Sequence, residues 1–167
     1  MYKPTKFPIR YVPFRLTKKD KTKQAQMLIK SKKLYKKGKY FTRKLIKSFQ
    51  SKPSKHTINA RKIYNVRNIV PSRKLSSATG CSIKTLKKIV NKGAGAYYSS
   101  GSRPNQTAQS WGLARLASSI SGGKAAAVDY GLIENGCDHK KKAFILANKA
   151  RELYNYGLSK THKVIVK

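Results

Sequence analysis

The chain has 167 residues, with 39 Lys and Arg against five Asp and Glu, a formal charge of +34. Such an excess repels itself and attracts polyanions over a range set by salt, so nucleic acid, an anionic membrane surface and acidic protein neighbours are the partners to weigh. Five carboxylates leave little for glycosidase-like or two-metal chemistry, which needs paired acids.

Residues 1–16 carry Pro4, Pro8 and Pro13 among Tyr2, Phe7, Ile9, Tyr11, Val12 and Phe14. Three prolines exclude a helix and predict an extended arm. Its aromatics need a surface, either this protein's own core or a neighbour. A cationic arm of this kind buries too little alone to offset its conformational entropy, so contacts from other molecules are expected to hold it.

Thr17 followed by Asp20 is a capping-box-like start and Gly38 a stop, which predicts a helix over residues 18–37. Met27, Leu28, Leu34 and Tyr35 form its apolar stripe. Phe41, Leu45 and Phe49, joined by Ile46, repeat at helical spacing and predict a second helix ending before Pro53. The Lys-rich stretch gives the expected polyanion or partner contacts: Lys18, Lys19, Lys21, Lys23, Lys30, Lys32, Lys33, Lys36, Lys37, Lys39, Arg43 and Lys44. A third helix is expected over residues 55–62, capped by Ser54, and an extended stretch or short strand over residues 63–70.

In residues 72–92, Leu75, Ser76, Gly80, Cys81, Leu86 and Ile89 fall where a helix-turn-helix places its core contacts, small residue and turn glycine. The outward face of the second helix would present Lys84, Thr85, Lys87, Lys88 and Asn91, as a major-groove reader does. An ordinary helical hairpin packed on its own domain has the same spacing. Residues 93–107 (GAGAYYSSGSRPNQT) read as a loop that either cradles an anion with Tyr97, Tyr98, Ser99, Ser100 and Arg103 or serves as a rigid structural turn.

Asn105 or Thr107 would cap a helix over residues 108–120 with Trp111, Ala114, Ala117 and Ile120 on its apolar face. Residues 124–133 are short, apolar and expected to be buried. Asp138 would cap a last helix through Tyr156, with Phe144, Ala147, Leu153 and Tyr154 inward and Gly157 as stop. Residues 164–166 read as a tail strand. The expected fold is mainly α with room for one or two short strands. It divides into an arm with Lys-rich helices (1–54) and a compact, mostly helical domain (55–167).

Cys81 and Cys137 are too few for a disulfide framework and lie far apart, which fits a reducing compartment unless the fold brings them together. No apolar run approaches the roughly 18 residues of a membrane span, and the N-terminus lacks a signal-peptide core, so a soluble or peripherally bound chain is expected. Cys137, Asp138 and His139 are a weak metal cluster with no second pair at ligand spacing. Residues 122–124 (GGK) lack the rest of a phosphate-binding loop. The hydroxyls of Ser99, Ser100 and Ser102 would need a base, which His56, His139 and His162 cannot be placed to supply. No enzymatic activity and no cofactor are expected.

The run KGAGAYYSSGSRPNQTAQSWGLARLASSISGGKAAAVD (92–129), with YVPFRLTKKDK, LYKKGKY and TGCSIKTLKKIV before it, resembles an uncharacterised domain family of large double-stranded DNA viruses of algae and amoebae and of tailed phages. The similarity spans roughly residues 11–137. It brings no assigned activity or site residues; what it implies is context, a viral protein packaged in the particle. The expectation is therefore a structural virion protein, a minor capsid or internal capsid-associated protein on the inner side of the shell, made in the host cytoplasm or nucleus. Its partners would be other capsid proteins, with an anionic internal membrane or the genome as further ones. The alternative is a non-enzymatic nucleic-acid-binding protein using the helix-turn-helix and Lys-rich helices.

Overall fold

The computed structural model describes residues 4–167, which leaves Tyr2 of the arm outside the described residues. The chain is mainly helical: eight α-helices and one two-stranded sheet among the described residues. In chain order these are β1 (Thr5–Pro8), α1 (Lys18–Tyr35), α2 (Lys55–Tyr64), α3 (Arg73–Thr79), α4 (Ile83–Ser99), α5 (Ala108–Ile120), α6 (Lys124–Val128), α7 (Tyr130–Gly136), α8 (Lys142–Leu153), a 3₁₀ turn (Asn155–Gly157) and β2 (Lys163–Val166).

The division differs from the one the sequence suggests. The first unit comprises the described residues before Pro53 with Ala94–Ala108 and Lys160–Lys167, and the second comprises Pro53–Gly93 and Gln109–Ser159. Helix α4 contributes residues 83–93 to the second unit and 94–99 to the first.

In the first unit the arm pairs with a strand of its own chain. Antiparallel pairing sets Thr5 opposite Val166 and Phe7 opposite Val164, with Ile9 N–H donating to the His162 carbonyl at 2.9 Å. Phe7, Tyr11, Val12 and Leu16 are buried; Phe14 stays 67% exposed. Helix α1 starts as expected, Thr17 Oγ1 accepting from Asp20 N–H at 3.2 Å. Its buried stripe is Gln24, Ala25, Met27, Leu28 and Ser31, while Leu34 is half-buried and Tyr35 exposed.

The helix expected over residues 41–49 is absent: this segment is a strap without regular secondary structure, with a turn at residues 47–48. Side chains elsewhere in the unit take the backbone groups a helix would have paired. Tyr97 Oη accepts from Arg43 N–H at 2.9 Å, Asn105 Oδ1 from Ile46 N–H at 2.7 Å and Asp20 Oδ2 from Ser48 N–H at 3.0 Å. The Asn105 amide donates to the Ile46 and Phe49 carbonyls, both at 3.1 Å, so Asn105 clamps the strap. Ser48's hydroxyl and amide bonds hold the Asp20 carboxyl below its ordinary pKa.

The second unit packs Leu75, Leu86, Ile89, Leu116, Ile120, Ile133 and Ala147 into one core. Residues 63–70 form no strand. Tyr64 extends α2 by its last turn, its buried hydroxyl donating to the Ile120 carbonyl, and burial pushes its pKa up. Val66 and Ile69 then enter the core from a loop begun by Asn65 in the left-handed region. Helix α5 has the expected bounds, but its buried face centres on Gly112, Leu116, Ala117 and Ile120, with Trp111 and Ala114 only half-buried. The last helix is shorter than expected. Asp138 caps a turn, accepting from Lys140 N–H at 2.9 Å, and α8 begins at Lys142, with Leu153 at its end 76% exposed.

Helices α4 and α5 cross at glycine: a Cβ on Gly112 would lie 2.4 Å from the Val90 carbonyl oxygen. Gly112→Ala is therefore expected to destabilise by about 1–3 kcal/mol through overpacking, measured by urea unfolding. Nearby, Asp129 is fully buried between α6 and α7. Arg115 grips it at 2.8 Å and 2.7 Å, Ser119 Oγ donates at 3.1 Å and Lys92 Nζ stands at 3.0 Å. Burial would raise its pKa; the Arg115 and Lys92 contacts overcome this and hold it below the ordinary value.

The cysteines, expected to stay reduced, are joined. Ser82 N–H donates to the Gly136 carbonyl and Asp138 N–H to that of Gly80, an antiparallel bridge that sets Cys81 beside Cys137 in a disulfide. At a sequence separation of 56, reduction or Cys81→Ser is expected to cost about 2–4 kcal/mol. Denaturation midpoints with and without reductant check this.

Candidate functional site

The α3–turn–α4 unit is built as its spacing requires. Ser72 Oγ accepts from Leu75 N–H to start α3, and Gly80 ends it in the left-handed conformation with φ 78°. Ser76 Oγ donates to the Cys81 carbonyl at 2.6 Å across the turn, fixing its path. Leu75, Cys81, Leu86 and Ile89 are all buried. That inward commitment leaves Lys84, Lys87, Lys88 and Asn91 exposed at i, i+3, i+4 and i+7, one stripe along α4.

Thr85 does not belong to that stripe. It is buried, its amide donating to Ser82 Oγ at 3.1 Å and its Oγ1 accepting from the same hydroxyl at 2.9 Å, against Gly136 of α7. Thr85 thus serves the helix start, where capping by Ser82 turns it away from the lysine stripe.

A second set of lysines, not apparent from spacing along the chain, stands at this place. Lys141 lies over Gly80, close enough that a Cβ there would meet Lys141 Cγ at 2.5 Å. Lys140 and Lys142 flank it and are exposed, with one carboxylate, Asp138, in the same turn. The disulfide and its two backbone bonds therefore bring a run of three lysines beside the turn from which the α4 stripe starts. The signal was present as KKK beginning three residues after Cys137, but only the cysteine pairing gives it a location.

The expected anion-binding loop is a different object. Residues 93–99 are helical and Tyr97 is fully buried. Tyr98 and Ser99 are half-buried, and Ser100 and Arg103 are exposed. The guanidinium that enters this region is Arg43, from the strap. It donates to Ser31 Oγ and the Tyr97 carbonyl, both at 2.9 Å, and to Ser102 Oγ at 2.8 Å, and stacks 3.8 Å over the Tyr97 ring. Burial lowers its pKa. Arg43 is thus an internal brace and not a polyanion contact, since its donors are spent on neutral oxygens.

The other basic residues of the first unit divide by environment. Lys18, Lys19, Lys32, Lys33, Lys36, Lys37, Lys39 and Lys44 are exposed. Lys23 donates to the Leu45 carbonyl at 3.1 Å, and Lys21 and Lys30 lie over the Phe14 and Phe41 rings at 5.9 Å and 4.6 Å. No group of three or more metal-ligating side chains occurs among the described residues, and no helix there is long and apolar enough to cross a membrane.

A family model described as a family of unknown function (DUF5824) matches residues 8–140. No curated protein and no solved structure matches the chain.

Proposed function

The chain belongs to that family of unknown function, and from its geometry we propose a non-enzymatic protein that binds nucleic acid through its lysine faces. In a viral particle, the context the sequence resemblance suggests, it would lie against the genome on the inner side of the shell. The observation that carries the reading is the exposed stripe of Lys84, Lys87, Lys88 and Asn91 on α4, with Lys140, Lys141 and Lys142 beside its starting turn. Nothing among the residues around these lysines pairs a nucleophile with a base, whereas three to six phosphate contacts need only exposed ammonium groups on a fixed scaffold.

Duplex DNA titrated at several salt concentrations tests it. If six lysines engage, log affinity should fall against log salt with a slope near −5, a loss of about 10³-fold between 50 and 200 mM. Replacing Lys84, Lys87 and Lys88 by Ala should make the slope about 3 units shallower. Affinity indifferent to salt, or unchanged in the triple variant, would defeat the reading.

A second reading, a minor capsid or internal capsid-associated protein bridging shell components, is favoured by apolar side chains left in solvent on the first unit: Phe14 at 67% and Leu45 at 71% exposure. Separating purified particles into shell, membrane and genome distinguishes the two. Retention in the emptied shell supports bridging, and copurification with DNA supports the primary reading.

A further inference from the structure

The first unit carries an aromatic row that runs from its core into solvent. Tyr97 is fully buried; Tyr98 stands edge-on to it at 5.0 Å; Tyr40 follows at 5.0 Å from Tyr98, and Tyr35 lies 6.2 Å beyond Tyr40. Tyr40, near the open end, is 73% exposed, and Tyr35 is 38% exposed. A tyrosine ring so little covered forgoes most of the burial that makes aromatics favourable inside proteins.

The backbone presenting Tyr40 is nonetheless fixed. Gly38 turns the chain at φ 71°, Gly38 N–H donates to the Tyr35 carbonyl, and Lys39 N–H donates to that of Leu34, all closing the end of α1. Flanked by two further rings on a tied-down turn, Tyr40 is preordered, so a planar partner laid on it meets little entropic resistance.

Its surroundings select the partner's charge. Lys32, Lys33, Lys36, Lys37 and Lys39 are all exposed within the last turns of α1 and the turn that follows. Lysines around an open aromatic face suit a polymer that alternates anionic groups with flat rings. In duplex nucleic acid those rings are stacked on one another; in a single strand they are free.

We propose that Tyr40, backed by Tyr35 and Tyr98, is a stacking platform for the bases of single-stranded nucleic acid, whose phosphates are met by the lysines at the end of α1. This inference rests on the nucleic-acid reading above but uses a separate surface. It assigns the aromatic row a role that charge alone cannot fill, because a polyanion without bases gains nothing from Tyr40.

The test uses the full-length protein with three probes: a labelled oligothymidylate, inorganic polyphosphate as a base-free polyanion, and duplex DNA. Tyr40→Ala should weaken oligothymidylate binding by about 5–150-fold, the range of one lost base stack. Polyphosphate affinity should stay within about twofold, and Tyr40→Phe, which keeps the ring, should behave as the unaltered protein. A thermal melt matching the unaltered protein confirms that Tyr40→Ala leaves the fold intact. Equal losses for oligothymidylate and polyphosphate, or no loss for either, would overturn the platform. So would a Tyr40→Ala defect seen only in sedimentation with phosphatidylserine vesicles, which would make an anionic lipid surface the occupant. If the unaltered protein binds duplex DNA with a steep salt slope while Tyr40→Ala changes nothing, only the platform fails. If it binds none of the nucleic acids, the broader reading fails with it.

Discussion

Asp129→Asn is expected to lower stability by about 3–5 kcal/mol, because it removes one partner from a buried ionic cluster and strands the other. The carboxylate is fully buried, and the Arg115 side chain that grips it is only 19% exposed. An amide would keep the shape but offer Arg115 one carbonyl oxygen in place of two anionic ones. The same group predicts an acid limb. Because its folded pKa lies below the unfolded value, its contribution is complete above about pH 4 and is lost as pH falls through the depressed folded pKa. Urea titrations at pH 7, 4 and 3 should show the gap between the unaltered protein and Asp129→Asn narrowing with acid. A gap that stayed constant, or that widened on acidification, would refute this assignment.

Arg43→Ala should destabilise the first unit by about 3–5 kcal/mol, since it leaves three buried oxygens, Ser31 Oγ, Ser102 Oγ and the Tyr97 carbonyl, without the donor that now serves them. It also strips the cation from the face of Tyr97. Arg43→Lys should recover only part of the loss, because a single ammonium cannot reproduce a planar fork that reaches both Tyr97 and Ser102. Amide hydrogen exchange gives the location: protection should fall in α1 and in residues 94–108, while α5 and α8 keep theirs. Full recovery by Lys would mean that charge, not geometry, is what the site requires.

Local signals proved readable where a side chain's own neighbours in sequence decide its role. Thr17 with Asp20 begins α1, and Leu75, Gly80, Leu86 and Ile89 outline the α3–turn–α4 unit, because capping and helical period act within a few residues. The strap over residues 41–49 was not readable. Its apolar spacing suits a helix, but Tyr97 and Asn105, some 54 and 59 residues away, take its backbone groups. Arg43 looked like surface charge for the same reason, its partners being distant in sequence. The Lys140 to Lys142 run escaped because nothing in composition reveals that Cys137 lies against Cys81.

The first unit is assembled from three separated stretches of chain, and its sheet joins Thr5–Pro8 to Lys163–Val166. On the ribosome, then, the opening strand emerges long before its mate exists. The second unit draws on nothing after Ser159, and α1 and the strap find their partners in residues 97–105, so only β1 waits unpaired until residues 163–166 are made. Loss of only residues 160–167 would accordingly harm the beginning of the protein more than its middle, and a released chain cut after residue 159 should expose Thr5–Pro8 to protease while the disulfide-linked helices resist.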